Sequence, residues 1–285
     1  MTHRIGLVSD VHGNFTALQA VIADAISQGV TEYWLLGDII MPGPGTQDLF
    51  DLIDGINVTA YVLGNWDDYF LATIRGDINL DDASDIYAVR LAKYVYAGIG
   101  EAGASRIAEW PLSTVRQVEG LTISLSHNLP ACNHGSQLMP FAPQENFDHI
   151  FDDSKADAAV IGHTHESMLR YSTTEQIIVN PGSVGQAVAN RTGDLRAQYA
   201  VLAIDERGIV QVDFRRVAFD TEAELVRAER QGLPYLELYR ESLETGHAHT
   251  HDLPLLQKLN ERFGYQNEAA NFLASRTAGD ENPAS

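Results

Sequence analysis

Seven residues of metal-ligating type fall in five short segments: Asp10 and His12 in Ser9-Asp10-Val11-His12, Asp38 after Gly37, Asn65 after Gly64, His127 after Ser126, and His163 and His165 in Gly162-His163-Thr164-His165. Carboxylate, amide oxygen and imidazole without thiolate suit Mn, Fe or Zn better than Mg or Ca. One carboxylate shared between two such cations holds them roughly 3.5–4 Å apart, the spacing of hydrolytic two-metal sites. Such a pair polarises a phosphoryl group and supplies hydroxide at neutral pH. Taken singly, a Gly-Asp or Gly-Asn is a turn, and a histidine at a strand end is a hydrogen-bonded core residue. Five such segments in order, each closing an apolar run, point instead to a metal-dependent hydrolytic centre.

The elements that must position these residues follow from the apolar pattern. Residues 5–9 read as a buried strand ending at Asp10. Asn14 suits the N-cap of a helix in which Phe15, Leu18, Val21, Ile22, Ala25 and Ile26 recur at helical spacing, and Gly29 stops it. Residues 33–36 form a second strand cut by Gly37-Asp38, 41–45 a loop, 47–53 a short helix, and 58–63 a third strand cut by Gly64-Asn65. Strand, helix, strand, helix, strand implies parallel pairing. In open α/β sheets ligands bind beyond the carboxyl ends of strands. Residues two apart in extended backbone point to one side, which pairs Asp10 with His12 and His163 with His165. Glycine before Asp38, Asn65 and His163 allows close backbone approach.

Residues 66–112 break this rhythm with helical patterns at 87–96 and 104–110, and read as a helical cap insertion beside the site. Strands follow at 115–118, 121–125, 160–161, 177–179, 199–204 and 210–214, in a more antiparallel arrangement. Helices are expected at 222–231 and 255–263. The expected fold class is α/β: a four-layer sandwich of two mixed β-sheets flanked by helices, with the small helical cap inserted.

Composition narrows the function classes. The 285 residues carry 19 Lys+Arg against 39 Asp+Glu, a formal charge of -20. A surface this acidic repels a nucleic-acid backbone, so no nucleic-acid polymer is expected as partner. A small anionic substrate remains compatible, because bound cations invert the local field. No run of about 18 apolar residues exists, so no membrane span is expected, and the N-terminus lacks a signal-peptide pattern. Cys132 is the only cysteine, which rules out an internal disulfide and a cysteine zinc site. These features lead us to expect a cytoplasmic protein. They leave homo-oligomerisation open.

Asp10-Val11-His12, Gly37-Asp38, Gly64-Asn65, His127 and Gly162-His163-Thr164-His165 resemble the motifs of the calcineurin-like metallophosphoesterase superfamily. The resemblance implies two transition-metal ions (Mn, Fe or Zn): one held by Asp10, His12 and His165, the other by Asn65, His127 and His163, with Asp38 bridging. Asp38 and His127 would then serve catalysis through the hydroxide held there. The domain carrying these motifs is expected over 1–220, containing the insertion at 66–112; the helical patterns that follow give a C-terminal helical extension over 221–275, and the small, polar composition a disordered tail over 276–285. A closer resemblance is to bacterial asymmetric diadenosine tetraphosphatases, carried by residues 33–38, 63–66, 194–199 and 213–217. It implies hydrolysis of diadenosine tetraphosphate to ATP and AMP, with a small nucleotide as substrate. A phosphodiesterase on small phosphodiesters and a catalytically weak nucleotide sensor or scaffold are the competing readings.

One position departs from the superfamily, which has Gly-Asn-His where this chain has Gly64-Asn65-Trp66. The family's histidine acts on the leaving group or contacts the phosphate, and an indole cannot titrate. His134 is a candidate replacement or a plain loop histidine. Trp66 either stacks on a base or packs. Arg196 either grips a substrate phosphate or pairs with Asp194. Tyr87, Tyr94 and Tyr96 either stack an adenine or form the core of the cap. Residues 180–183 form a phosphate-side turn or a simple connection. His247, His249 and His251 alternate, as a weak metal site, an oligomer contact or a solvated loop.

Overall fold

The computed structural model describes residues 2–152, 154–188 and 193–280. In chain order the strands are β1 (His3–Val8), β2 (Glu32–Leu35), β3 (Val58–Tyr61), β4 (Ser113–Val118), β5 (Leu121–Ser126), β6 (Ala158–Val160), β7 (Met168–Tyr171), β8 (Ile177–Asn180), β9 (Ala197–Asp205) and β10 (Gly208–Val217). The helices are α1 (Phe15–Ser27), α2 (Gln47–Asp54), α3 (Asn65–Arg75), α4 (Ala83–Ala108), α5 (Gln144–Asp148), α6 (Thr221–Arg230), α7 (Leu236–Thr245), α8 (Leu253–Phe263) and α9 (Tyr265–Asp280). No helix among the described residues is long and apolar enough to cross a membrane.

The first sheet has the order β10-β9-β1-β2-β3 and the second β4-β5-β6-β8-β7. β1, β2 and β3 run parallel with α1 and α2 as crossovers, while β9 and β10 complete the sheet antiparallel. In the second sheet β5, β6 and β8 are parallel, and β4 and β7 are antiparallel edges. Both sheets are therefore mixed, as expected.

Strand periodicity builds the layers. Ile5 and Leu7 of β1 point one way and join Leu202, Ile123, Leu125 and Val160 in a core between the sheets. Val8 and Leu35 point the other way, against Leu18 and Val21 of α1 and Phe50 of α2. On the far side, Ala159 and Ile178 pack against Phe147 of α5 and Ile150 of the 3-10 turn that follows it. The result is helix, sheet, sheet, helix. Asn14 caps α1 by accepting the Ala17 amide at 3.0 Å, and its own amide donates to the Gly185 carbonyl at 3.3 Å. The cap therefore also ties the first helix to the second half of the chain.

The helical insertion differs from expectation in detail. Its two patterns belong to one long run, α4, interrupted at Gly100, whose φ of 62° no helix tolerates. Ile86 and Val89 of α4 share an apolar cluster with Ala269 and Phe272 of α9. The insertion and the C-terminal helices thus bury one another. α7, α9 and the short edge strand β7 have no counterpart in the sequence reading. β7 alternates weakly, whereas α9 does carry Tyr265, Ala269, Phe272 and Leu273 at helical spacing, next to the small and polar residues that end the chain. α9 reaches Asp280, into the stretch expected to lack structure (276–285), and 281–285 lie outside the described residues.

The layering makes a stability prediction. Leu202 is fully buried between the sheets, whereas Leu169 on edge strand β7 is 42% exposed. We expect Leu202→Ala to cost about 2–5 kcal/mol and Leu169→Ala to stay within about 0.5 kcal/mol. Urea unfolding midpoints of the two variants measure the difference.

Candidate metal centre

All seven ligand-type residues lie just beyond the carboxyl ends of strands: Asp10 and His12 after β1, Asp38 after β2, Asn65 after β3 as the first residue of α3, His127 after β5, and His163 and His165 after β6. Five of them adopt left-handed backbone, with φ of 55° at Asp10, 51° at His12, 53° at Asp38, 68° at His163 and 59° at His165. Each such residue costs about 1 kcal/mol or more, and such conformations persist only where the surroundings impose them. Here cross-links between loops do so. The Asp10 amide donates to the Gly37 carbonyl at 3.0 Å, the His12 amide to Asp38 at 2.9 Å, and the Gly162 amide to His127 at 2.9 Å. The glycines flanking the site give the close approach expected of them. A Cβ on Gly64 would run into the Asp38 backbone nitrogen and carboxylate, and one on Gly162 into the Ser9 hydroxyl.

The side chains converge. His165 Nε2 lies 3.2 Å from Asp10 Oδ1 and 3.0 Å from His12 Nε2. Asp38 Oδ2 lies 3.7 Å from His12 Nε2 and 3.4 Å from His127 Nε2. Asn65 Oδ1 lies 3.1 Å from His127 Nε2 and 2.7 Å from His163 Nδ1. The opposite nitrogen of every ring faces a backbone carbonyl: Met41 for His12 at 2.7 Å, Leu36 for His127 at 2.6 Å, Gln186 for His165 at 2.7 Å and Gly135 for His163 at 2.9 Å. A carbonyl can only accept, so it fixes the proton on the outward nitrogen and leaves a lone pair pointing into the site. The 3.0 Å approach of two such nitrogens, His12 and His165, requires a proton or a cation between them.

The rings differ in charge. Burial pushes His12 down to about 4, so it is neutral and ready to ligate. Burial also works to lower His127, yet the Asp38 and Asp10 carboxylates outweigh it and hold the ring up at about 10, so its inner nitrogen carries a proton that a bound cation would replace. Burial opposes ionisation of Asp10 and Asp38 as well, but the surrounding histidines bring both below the ordinary carboxylate range. Asp67 behaves oppositely. Burial and then the Asp38 charge push it up to about 7. It accepts the amides of Ile39 at 3.0 Å, Ile40 at 3.3 Å and Gly64 at 3.2 Å, fastening the β2 and β3 loops together.

These residues fit metal ions. Asp10 Oδ2 accepts from Ser9 at 2.6 Å and from the His163 amide at 3.1 Å, while its buried Oδ1 has no hydrogen-bond partner. An orphaned buried carboxylate oxygen amid imidazole lone pairs is a cation site. Donor atoms of Asp10, His12 and His165 lie within 4.8 Å of one another, as do those of Asp10, Asp38 and His127. Asp10 thus takes part in both groups. The resemblance gave the shared role to Asp38, and here both carboxylates stand between the two histidine clusters.

The remaining sequence candidates divide sharply. Trp66 lines a cavity of about 310 Å³ at the centre, together with Asp38, Asn65, His163 and His165. It is otherwise buried, edge-on to His12 at 6.2 Å and to Tyr87 at 6.2 Å. Tyr87, Tyr94 and Tyr96 are absent from the cavity wall. Tyr87 packs between Trp66 and Tyr235, Tyr94 donates to the Pro44 carbonyl at 2.9 Å, and Tyr96 sits against Phe272. They are packing residues of the helical layer. Arg196 is bound to Asp194 at 2.8 and 2.9 Å beside a different surface hollow, so it is not brought to the centre. His134 is exposed, its ring directed at Asn133 3.1 Å away, and it lies outside the cavity wall. Residues 180–183 buttress the ligand loops: Asn180 donates to the Gly162 carbonyl at 2.6 Å and Ser183 to the Asp10 carbonyl at 2.9 Å. Sequence reasoning missed Tyr69, Gln186, Ala248 and Thr250 on the cavity wall, and did not place His251 there. The alternating histidines at 247–251 were the available signal.

Fold and site together define an α/β sandwich with a buried candidate metal centre at its strand ends. The chain belongs to the calcineurin-like phosphoesterase superfamily, whose domain it matches over residues 3–207. It is 25% identical over 244 residues to an uncharacterized protein of Methanocaldococcus jannaschii, covering 81% of this chain and 93% of that one. A 72-residue stretch, 25% of each chain, is 35% identical to a symmetrical bis(5'-nucleosyl)-tetraphosphatase of Serratia proteamaculans. The crystal structure of a metallophosphoesterase from Sphaerobacter thermophilus superposes with a TM-score of 0.66 at 24% identity, covering 87% of this chain and 100% of that one.

The close approach at Gly64 is directly testable. A side chain there must displace Asp38. We expect Gly64→Ala to weaken manganese binding at least tenfold while far-ultraviolet circular dichroism stays native. Calorimetric titration with Mn²⁺ gives the comparison.

Proposed function

We propose that the protein is a metal-dependent hydrolase of phosphoanhydride bonds in small nucleotides, with diadenosine tetraphosphate as the best single substrate. The observation that carries the hydrolytic reading is the unpartnered, buried Asp10 Oδ1 shared by two groups of converging donors. Asp10, His12 and His165 would hold one cation and Asn65, His127 and His163 the other, with Asp38 between them. When bound, such ions polarise the phosphoryl group and lower the pKa of water.

The protein's own residues do the rest. The backbone carbonyls of Met41, Leu36, Gln186 and Gly135 hold each imidazole in one tautomer and one orientation. The Trp66 amide donates to Asp38 Oδ1 at 2.8 Å, which leaves Oδ2 facing the histidines. The Trp66 indole walls the cavity and keeps water from its inner side. With 39 acidic residues on the chain, cations at the centre are the natural attractant for an anionic substrate.

Two features support a phosphoanhydride. The leaving group of a phosphoanhydride is a phosphate oxygen whose conjugate acid has a pKa of about 6, so it departs without the histidine that Trp66 replaces. A relative matched over 72 residues, a quarter of its length, bears the name of a symmetrical bis(5'-nucleosyl)-tetraphosphatase.

Metal-loaded protein should convert diadenosine tetraphosphate to ATP and AMP, and chelation should abolish the reaction until Mn²⁺ is restored. Chromatography of the products also separates this outcome from two ADP, the symmetrical cleavage. Turnover of cyclic nucleotides or simple phosphodiesters in preference would overturn the substrate assignment. Asp38→Asn should reduce turnover more than His165→Ala, because a carboxylate between two cations serves both. Similar losses in the two variants would remove Asp38 from the bridging role.

A further inference from the structure

One wall of the central cavity lies outside the phosphoesterase domain. Ala248, Thr250 and His251 line it together with Asn65, Trp66 and His165. They belong to residues 246–252, between α7 and α8, well past residue 207 where the family match ends. This segment is anchored. His249 is buried and its carbonyl accepts the Asp252 amide at 3.0 Å; its ring nitrogens lie 3.1 Å from Glu241 Oε2 and 3.5 Å from Asp252 Oδ2 without hydrogen-bond geometry. His247 stands edge-on to His249 at 4.5 Å. Asp252 then caps α8 by accepting the Leu255 amide at 3.3 Å. At the other end, Tyr239 of α7 donates to Glu224 at 3.2 Å, and Glu224 accepts the Thr16 amide at 3.0 Å, fixing α7 to the start of α1. The histidine alternation therefore sorts by role: His249 turns inward as the anchor, His247 leans on it, and His251 reaches the cavity.

Of the imidazoles on the cavity wall, His163 and His165 converge on the candidate metal centre and His251 does not. Trp66 stands where the superfamily has a histidine, and His134 is outside the wall. The geometry points to His251 as a substrate-contacting residue supplied by the C-terminal extension. Its imidazole donates a hydrogen bond to the departing oxygen, and donates a proton when that oxygen is a poor leaving group. In that step the oxygen of water bonds to phosphorus, the P–O bond to the leaving group breaks, and water's proton passes to solvent. The leaving oxygen takes a proton from the ring in its imidazolium form, which is left neutral and regains a proton from solvent. This inference rests on the hydrolytic reading of the same cavity.

The test uses full-length, Mn²⁺-loaded wild type, His251→Ala and His251→Gln. The readouts are kcat/KM across aryl phosphodiesters graded by leaving-group pKa, and AMP affinity by calorimetry. We expect the loss in His251→Ala to grow with leaving-group pKa, to roughly 10²-fold at the poor end. AMP affinity should fall severalfold in His251→Ala and be restored by the glutamine, which keeps a donor but cannot give up a proton. A uniform loss, or none, together with unchanged AMP affinity would overturn the inference. If wild type hydrolyses no substrate yet AMP affinity still depends on His251, the contact is upheld and the hydrolytic reading fails.

Discussion

The buried carboxylate of Asp10 sets the terms for the rest of the molecule. One oxygen is bound by Ser9 and the His163 amide, and the other faces imidazole nitrogens with no hydrogen bond. A bare buried oxygen is costly unless a cation compensates it. Holding it in that position takes elements from both halves of the chain. Ser183 donates to the Asp10 carbonyl, the Gly185 amide donates to the same carbonyl at 2.9 Å, and the Asp10 amide is spent on Gly37. Left-handed backbone at five ligand positions is a consequence. The loops must turn sharply off their strands to bring side chains inward, and the cross-links keep them there.

The two-sheet architecture answers this requirement. Parallel strands place their carboxyl ends at one edge, so β1, β2 and β3 deliver Asp10, Asp38 and Asn65 side by side. β5 and β6, also parallel, deliver His127, His163 and His165 from the second sheet. The inter-sheet core of Ile5, Leu7, Leu125 and Val160 sets how close the two edges come. The close contact of Gly162, after β6, with Ser9, after β1, leaves no slack in that distance.

The helical layer has a double task. Trp66 belongs at once to the centre, through its amide to Asp38, and to the apolar packing of Tyr87 and Tyr235. The same layer carries α7 and α8, whose connecting segment closes one side of the cavity. The domain matched over residues 3–207 and the C-terminal helices thus both contribute walls to the central cavity.

The chain by itself determined the seven ligand-type residues, their order and their strand-end placement, because apolar runs and the polar residues that end them are local features. It also determined the four-layer class, since crossover helices between short apolar strands leave few topologies. Residue type alone was ambiguous elsewhere, and tertiary packing decided. Tyr87, Tyr94 and Tyr96 are apolar enough for a core and flat enough for a base, and packing put Tyr87 in the core and left Tyr94 and Tyr96 half-buried against it. Arg196 had a carboxylate two residues away, and the shorter path won. Asn180 and Ser183 became buttresses because β8 lies beside β6. His251 reaches the cavity only because α7 is tied to Thr16 through Glu224, a contact spanning most of the chain that no local pattern encodes.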